Sequence, residues 1–274
     1  ISMGKLEKLS INNCVIDNST IKYLSDISAP LTGLYIHECT GFDYYSSISD
    51  LKYLQYLSIT GCNLTNEQLK GINFKNNEYL HEIDFSENAE LSDISPLGTL
   101  KTLNNLTVDK TAVRDFSVLK DCEILSVVSA QSCGITDIST LTNKAISHLY
   151  LNSNEISDIS SFVNFEALRT LEISNNKITD IAALADHKIL STLHLDTNQI
   201  TDISALASTP SLSRLQISDN QITTLQSLSN AEQLGYLYVN SNKLTNLDGL
   251  ENALKLKVLQ ATENQIENIN GITN

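Results

Sequence analysis

The sequence predicts a solenoid of parallel strands, built from one short motif repeated along its 274 residues. Three observations carry that prediction. From Ile146 the chain settles to L-x-x-L-x-L-x-x-N-x-I-x-D-I, or close variants of it. The motif returns every 22 residues from Asn154 through Asn264. Within each return a short stretch alternates apolar and polar, as in Leu168-Arg169-Thr170-Leu171-Glu172-Ile173, which is the pattern of a half-buried strand. A fixed period of this length means that each unit buries its apolar face against its neighbours instead of in one shared globular core.

This pattern is the leucine-rich repeat. It predicts an α/β leucine-rich repeat solenoid, a right-handed horseshoe. About twelve parallel strands would line the concave face, with 3-10 and short α segments on the convex face. The ninth motif position sets the register. It falls at Cys14, Cys39, Cys62, Asn88, Thr111, Cys133, Asn154, Asn176, Asn198, Asn220, Asn242 and Asn264. The spacings are 25, 23, 26, 23, 22 and 21, then 22 five times. One domain is therefore expected over 1–274, irregular and longer in its repeats to about 110 and regular from about 111 to 274.

The elements follow in order along each repeat. Leu171 and Ile173 should point into the core, and Thr170, Glu172 and Ser174 to the open face. Asn176 then turns the chain, because an amide can donate and accept at once and so satisfy buried turn backbone. An Asp follows at 93, 115, 137, 158, 180 and 202, replaced by Thr224, Asn246 and Asn268 in the last repeats. Such a side chain can accept from the N–H groups that open the convex segment. One more apolar residue closes each return: Leu97, Leu119, Leu141, Phe162, Leu184, Leu206, Leu228 and Leu250. The regular repeats leave room for a short 3-10 turn there. The longer stretches 66–79 and 19–28 could each hold about two helical turns.

A formal net charge of -14 with no Lys/Arg run argues against nucleic acid or an anionic membrane surface as partner. No stretch is long and apolar enough for a membrane span, so no direct insertion is expected. No secretion signal is visible at Ile1, and neither end of the chain reads as a capping unit. Of five cysteines, four (Cys14, Cys39, Cys62, Cys133) occupy the asparagine register, while Cys122 does not. The expectation is a ladder of reduced, buried thiols. The total is odd, and parallel neighbours at strand spacing sit slightly too far apart for a relaxed bridge. No metal and no cofactor is expected.

The segments SDISPL (92–97), TDISTL (136–141) and TDISAL (201–206), with the 22-residue period, resemble the internalin-type repeats of bacterial surface proteins. The resemblance implies a secreted or cell-surface location and a concave face that grips other proteins, often on host cells. It also implies a comparable cysteine ladder, which some internalin relatives carry. The partner so implied is a protein, with a host-cell surface receptor or a glycan as candidates. The stretch 242–259, NKLTNLDGLENALKLKVL, resembles a second group, the intracellular phosphatase-regulating scaffolds, and keeps a cytoplasmic alternative open.

The candidate binding face is the strand face. Its fifth-position column reads Ser10, Tyr35, Ser58, Asp84, Thr107, Ser129, Tyr150, Glu172, His194, Gln216, Tyr238 and Gln260. Together with His148, Asn152, Asp196, Arg214, Tyr236 and Asn240, the later members of this column form a patch of aromatics ringed by polar groups, the composition that interfaces favour. Against this stands the high strand propensity of Tyr, which a solvated sheet tolerates without function. Tyr35, His37 and Tyr56 form a second, smaller cluster. Glu172, His194 and Asp196 are the only grouping here that suggests catalysis. They lack a nucleophile and a dry pocket, so no enzyme is expected.

Overall fold

The structure, a computed structural model, describes residues 5–16, 30–41 and 45–272. It holds twelve parallel strands. The chain divides into two compact units, one of residues 1–133 with 140–143 and the other of 134–139 with 144–274.

The first unit carries β1 (Lys8–Asn12), β2 (Gly33–His37), β3 (Tyr56–Thr60), β4 (Glu82–Asp84), β5 (Asn105–Thr107) and β6 (Val127–Ser129). Pairing is in register, so Leu34, Leu57, Ile83, Leu106 and Val128 stack as one buried apolar column. The second unit carries β7 (His148–Tyr150), β8 (Thr170–Glu172), β9 (Thr192–His194), β10 (Arg214–Gln216), β11 (Tyr236–Tyr238) and β12 (Val258–Gln260). Leu149, Leu171, Leu193, Leu215 and Leu237 stack there, all fully buried. At one central position per strand, each column replaces the shared core of a globular domain.

The asparagine turn works as its chemistry predicts. Asn176 Nδ2 donates to the carbonyls of Leu151, Ile173 and Ser174, and its Oδ1 accepts from Ile156 N–H at 3.0 Å. Asn198, Asn220 and Asn242 repeat the set, and Asn88 makes its counterpart in the first unit. Thr111 keeps a reduced version through Oγ1, donating to Val108 and accepting from Val113 N–H. The residue before this position takes a left-handed φ, as at Asn175 (56°), Thr197 (55°) and Asp219 (54°). Only Gly61 in that series is a glycine. The ladder thus over-determines a conformation that L residues ordinarily avoid.

All five cysteines are free. Cys39, Cys62 and Cys133 are buried, and each thiol donates to carbonyls that the amide would otherwise hold: Ile36 and Thr60 for Cys62, Val108 and Gln131 for Cys133. Burial raises the thiol pKa of Cys62 and Cys133 and pushes Cys122 up to about 11, which keeps them from forming reactive thiolates. Cys14 departs from the expected buried ladder. It is exposed and its thiol donates to the nearby Asn12 O, because β1 is an outermost strand of its unit and its side chains are only partly covered.

On the return side, each Asp of the D-I series accepts from the backbone N–H two residues on: Asp93 from Ser95, Asp115 from Ser117, Asp137 from Ser139, Asp158 from Ser160, Asp180 from Ala182 and Asp202 from Ser204, at 2.7 to 2.9 Å. Thr224, Asn246 and Asn268 do the same at 3.0 to 3.3 Å. The closing residues Leu97 through Leu250 are all buried. The expected two-turn helix over 66–79 is shorter. A five-residue helix, α1 (Asn66–Lys70), opens on a Thr65/Gln68 capping box and ends at Gly71, and a 3-10 turn follows at Phe74–Asn76. Ile72 and Phe74 are both buried but two residues apart, a spacing that one helix cannot place on one face. The stretch 19–28 lies outside the described residues.

Candidate functional site

On the open face of the second unit, the fifth-position column stacks Tyr150, Glu172, His194, Gln216, Tyr238 and Gln260 on successive strands. The structure joins most of the predicted residues into one bonded strip. Asn152 Nδ2 donates to Glu172 Oε2 at 3.1 Å, and Glu172 Oε1 lies 3.5 Å from His194 Nδ1. With its amide oriented to satisfy both neighbours, Gln216 donates to Asp196 Oδ2 at 3.2 Å and accepts from Arg214 Nη2 at 2.9 Å. The Arg214 guanidinium then sits over two rings, 5.4 Å from the centre of Tyr236 and 5.3 Å from that of Tyr238. His148 pairs with the Ser147 hydroxyl at 2.8 Å.

The strip is partly desolvated. Burial lowers the pKa of His194, against the pull of Glu172, and so favours the neutral ring. Burial likewise raises the pKa of Asp196, against donation from Ser218, and that of Tyr150, with Glu172 adding to it. Among the described residues, His194 Nε2 is buried without a hydrogen-bond partner.

Three predicted binding residues prove to have a second duty. The Oδ1 of Asn152 accepts from Ser174 N–H at 2.7 Å, Asp196 Oδ1 from Ser218 N–H at 2.7 Å, and Asn240 Oδ1 from Thr262 N–H at 3.0 Å. Ser174 and Ser218 hydroxyls fill the alternate steps, accepting from Asp196 and Asn240 N–H. The seventh motif position is thus a second side-chain ladder, parallel to the asparagine one. The sequence carried its signal: only residues able to accept, N-S-D-S-N, appear there at 22-residue steps. Glu172 and Asp196 thus bond neighbouring groups, and His194 turns Nδ1 to Glu172 while its Nε2 has no partner among the described residues.

The second cluster lies on the neighbouring strands β2 and β3, where Gly33 pairs with Tyr56. His37 bonds Thr60 Oγ1 at 2.7 Å, and the Tyr35 ring lies back over Gly33. Tyr56 meets His81 edge-on at 4.9 Å with Lys8 over its ring at 5.6 Å. Sequence reasoning missed His81 and also the exposed stacked pair Tyr53–Tyr79, centres 6.3 Å apart, which lies outside the strands.

Strands of this spacing, an amide ladder at the turn and 3-10 returns define a leucine-rich repeat solenoid, a protein-interaction module. The family described as "Leucine Rich repeats (2 copies)" matches residues 144–186 and 166–208, and "Leucine rich repeat" matches 188–244. No curated protein matches the chain. Among solved structures, an internalin (inlF) from Listeria monocytogenes str. 4b F2365 aligns at 28% identity and TM-score 0.79, over 98% of this chain and 84% of that one. The InlJ functional domain of Listeria monocytogenes, described as including a cysteine ladder, aligns at 20% identity and TM-score 0.74, over 96% of this chain and 55% of that one. A plant peptide hormone receptor, RGFR1, in complex with RGF2, shares the fold at 17% identity and TM-score 0.68, over 94% of this chain and 48% of that one. The chain is similar to the internalins in fold and carries leucine-rich repeats over residues 144–244. No helix among the described residues is long and apolar enough to cross a membrane.

Proposed function

We propose that the chain is a non-catalytic recognition module of a secreted or cell-surface bacterial protein, binding a protein ligand through the strand face of its second unit. The observation that carries this reading is the Arg214 guanidinium held over Tyr236 and Tyr238. Tyr and Arg are enriched in binding hot spots, Tyr because it brings large contact area at low entropic cost. Here the stack is pre-organised by Gln216 and Asp196, so little order is lost on binding. The likeness to the inlF internalin supports the surface location, and the receptor–hormone complex on the same fold supports a protein ligand.

The test is capture from host-cell surface extracts by the wild type and by a Tyr150→Ala/Tyr236→Ala/Tyr238→Ala variant shown to be folded. A surface protein retained by the wild type and lost by the variant is the expected result. A glycan retained in its place would change the ligand class. Equal capture by both would move the site off this face, and capture of nothing from surfaces but a partner from cytosol would favour the scaffold alternative.

A further inference from the structure

The repeats act as internal controls for one another, and one corner breaks their pattern twice. The position two residues before the first core leucine is a solvent-facing site. It holds Lys52, Glu78, Lys101, Glu123, Lys144, Glu166, Lys188, Pro210 and Glu232, all exposed. In the last of these repeats it holds Leu254, 84% exposed. The local backbone is the same: Leu254 N–H bonds Asn252 O as Glu232 bonds Asn230 O and Lys188 bonds Asp186 O. Its exposure therefore comes from its place in the repeat. A leucine there stands where its counterparts are almost all charged.

Beside it, the residue that precedes each strand is polar or charged at Ser147, Arg169, Ser191, Ser213 and Lys257, but is Gly235 in the fifth of these repeats. No conformational need accounts for this glycine. Its φ is not in the left-handed region, and an added Cβ would meet only Lys255 O and Ser213 O, at 3.6 and 3.7 Å, which is ordinary contact. Its effect is to leave space. Gly235, Tyr236, Leu254 and Leu256 border one groove, with Lys255 and Lys257 beside them and no carboxylate in the lining. Arg214 adds a third cation, stacked on the Tyr236 ring. In a chain of net charge -14 this corner is apolar in its walls and basic at its edge.

We propose that this groove docks a protein segment that presents an aliphatic or aromatic side chain next to a carboxylate. The apolar side chain covers Leu254 and the flank of Tyr236, and the acid meets Lys255, Lys257 or Arg214. The inference deepens the strand-face reading and rests on it through Tyr236. Charge complementarity selects the acidic partner: a basic segment would face three cations with no counter-charge in the lining.

The test is a random peptide library displayed on phage, panned on the wild-type chain. The variants are Leu254→Glu, Gly235→Ser and Lys257→Glu. The first two install what sister repeats already carry, so the fold should be retained, and thermal melts check this. The expected result is enrichment of peptides pairing Leu, Phe or Trp with Asp or Glu within a few residues. Their affinity should fall about tenfold or more in Leu254→Glu and Lys257→Glu and weaken with added salt. Enriched peptides without acidic residues, peptides indifferent to Leu254→Glu, or no enrichment at all would overturn the groove. Peptides lost by Tyr150→Ala but not by Leu254→Glu would do the same while leaving the wider strand-face site standing. A sialylated glycan bound by the wild type, lost in Lys257→Glu and kept in Leu254→Glu, would also overturn it, since charge alone would then be the determinant.

Discussion

Asn198 makes four hydrogen bonds with a single planar amide, one accepted from Ile178 and three donated to Ile173, Leu195 and Asp196. It is 9% exposed, so water cannot replace those partners when the side chain is removed. Asn198→Ala should lower stability by roughly 1 to 3 kcal/mol, the cost of leaving buried backbone groups unsatisfied. Denaturant titration against wild type measures it; an unchanged midpoint would contradict the ladder. Asn264, only partly buried, should lose less from the same change. At this scale the sequence was highly legible, because a polar residue that recurs in step with buried leucines must be bonding the backbone it is buried with. Leu254 and Gly235 were not. A lone exposed leucine and a lone glycine are ordinary in any sequence, and they become informative only once the structure shows which residues are their counterparts.

The return segments carry a row of carboxylates whose pKa values are lowered. Backbone donation from Ser95, with the Lys70 ammonium 2.9 Å away, holds Asp93 down to about 2. Donation from Ser117, Ser139 and Ser160 likewise lowers Asp115, Asp137 and Asp158. A carboxylate whose folded pKa is depressed adds stability that is complete above its unfolded value. That stability drains as pH falls through the folded value, here from the ordinary 3.8 toward about 2 for Asp93. Replacing these four with Asn keeps an oxygen acceptor, as Asn246 shows in its own repeat. The fourfold variant should be less stable than wild type near neutrality, where the carboxylate contribution is complete, and should approach it as pH falls, so its loss of stability below pH ~4 is flatter. An acid limb as steep as that of the wild type would mean that other carboxylates set it. Helix length was harder to read than these turns. The sequence offered 14 residues over 66–79, but the apolar spacing of Ile72 and Phe74 favoured a broken return over a continuous helix. The seventh-position ladder was hidden for a different reason: Asn152, Asp196 and Asn240 look like free surface groups until their backbone partners, one repeat away, are known.

At the level of the whole chain, the period runs on from Thr111 through Cys133 to Asn154 at steps of 22 and 21 residues, and we propose that the two compact units act as one domain. A single cooperative transition in thermal unfolding is the expected behaviour. The bonding pattern of the second unit has a further consequence. The bonds of each asparagine are to backbone of its own repeat or of earlier ones, through the same atoms each time. Excising residues 177–198 would put Gln199 after Asn176. Ile200 N–H would then take the place of Ile178 N–H, and Asn220 would reach Ile173 O as Asn198 now does. Every remaining ladder group keeps a partner of the same kind, so the shortened chain should fold, with a smaller denaturant m-value in proportion to the surface it no longer buries. In this molecule, length is an adjustable quantity. A lineage can lengthen or shorten the ruler by one 22-residue unit while the rules that hold each unit in place stay as they are.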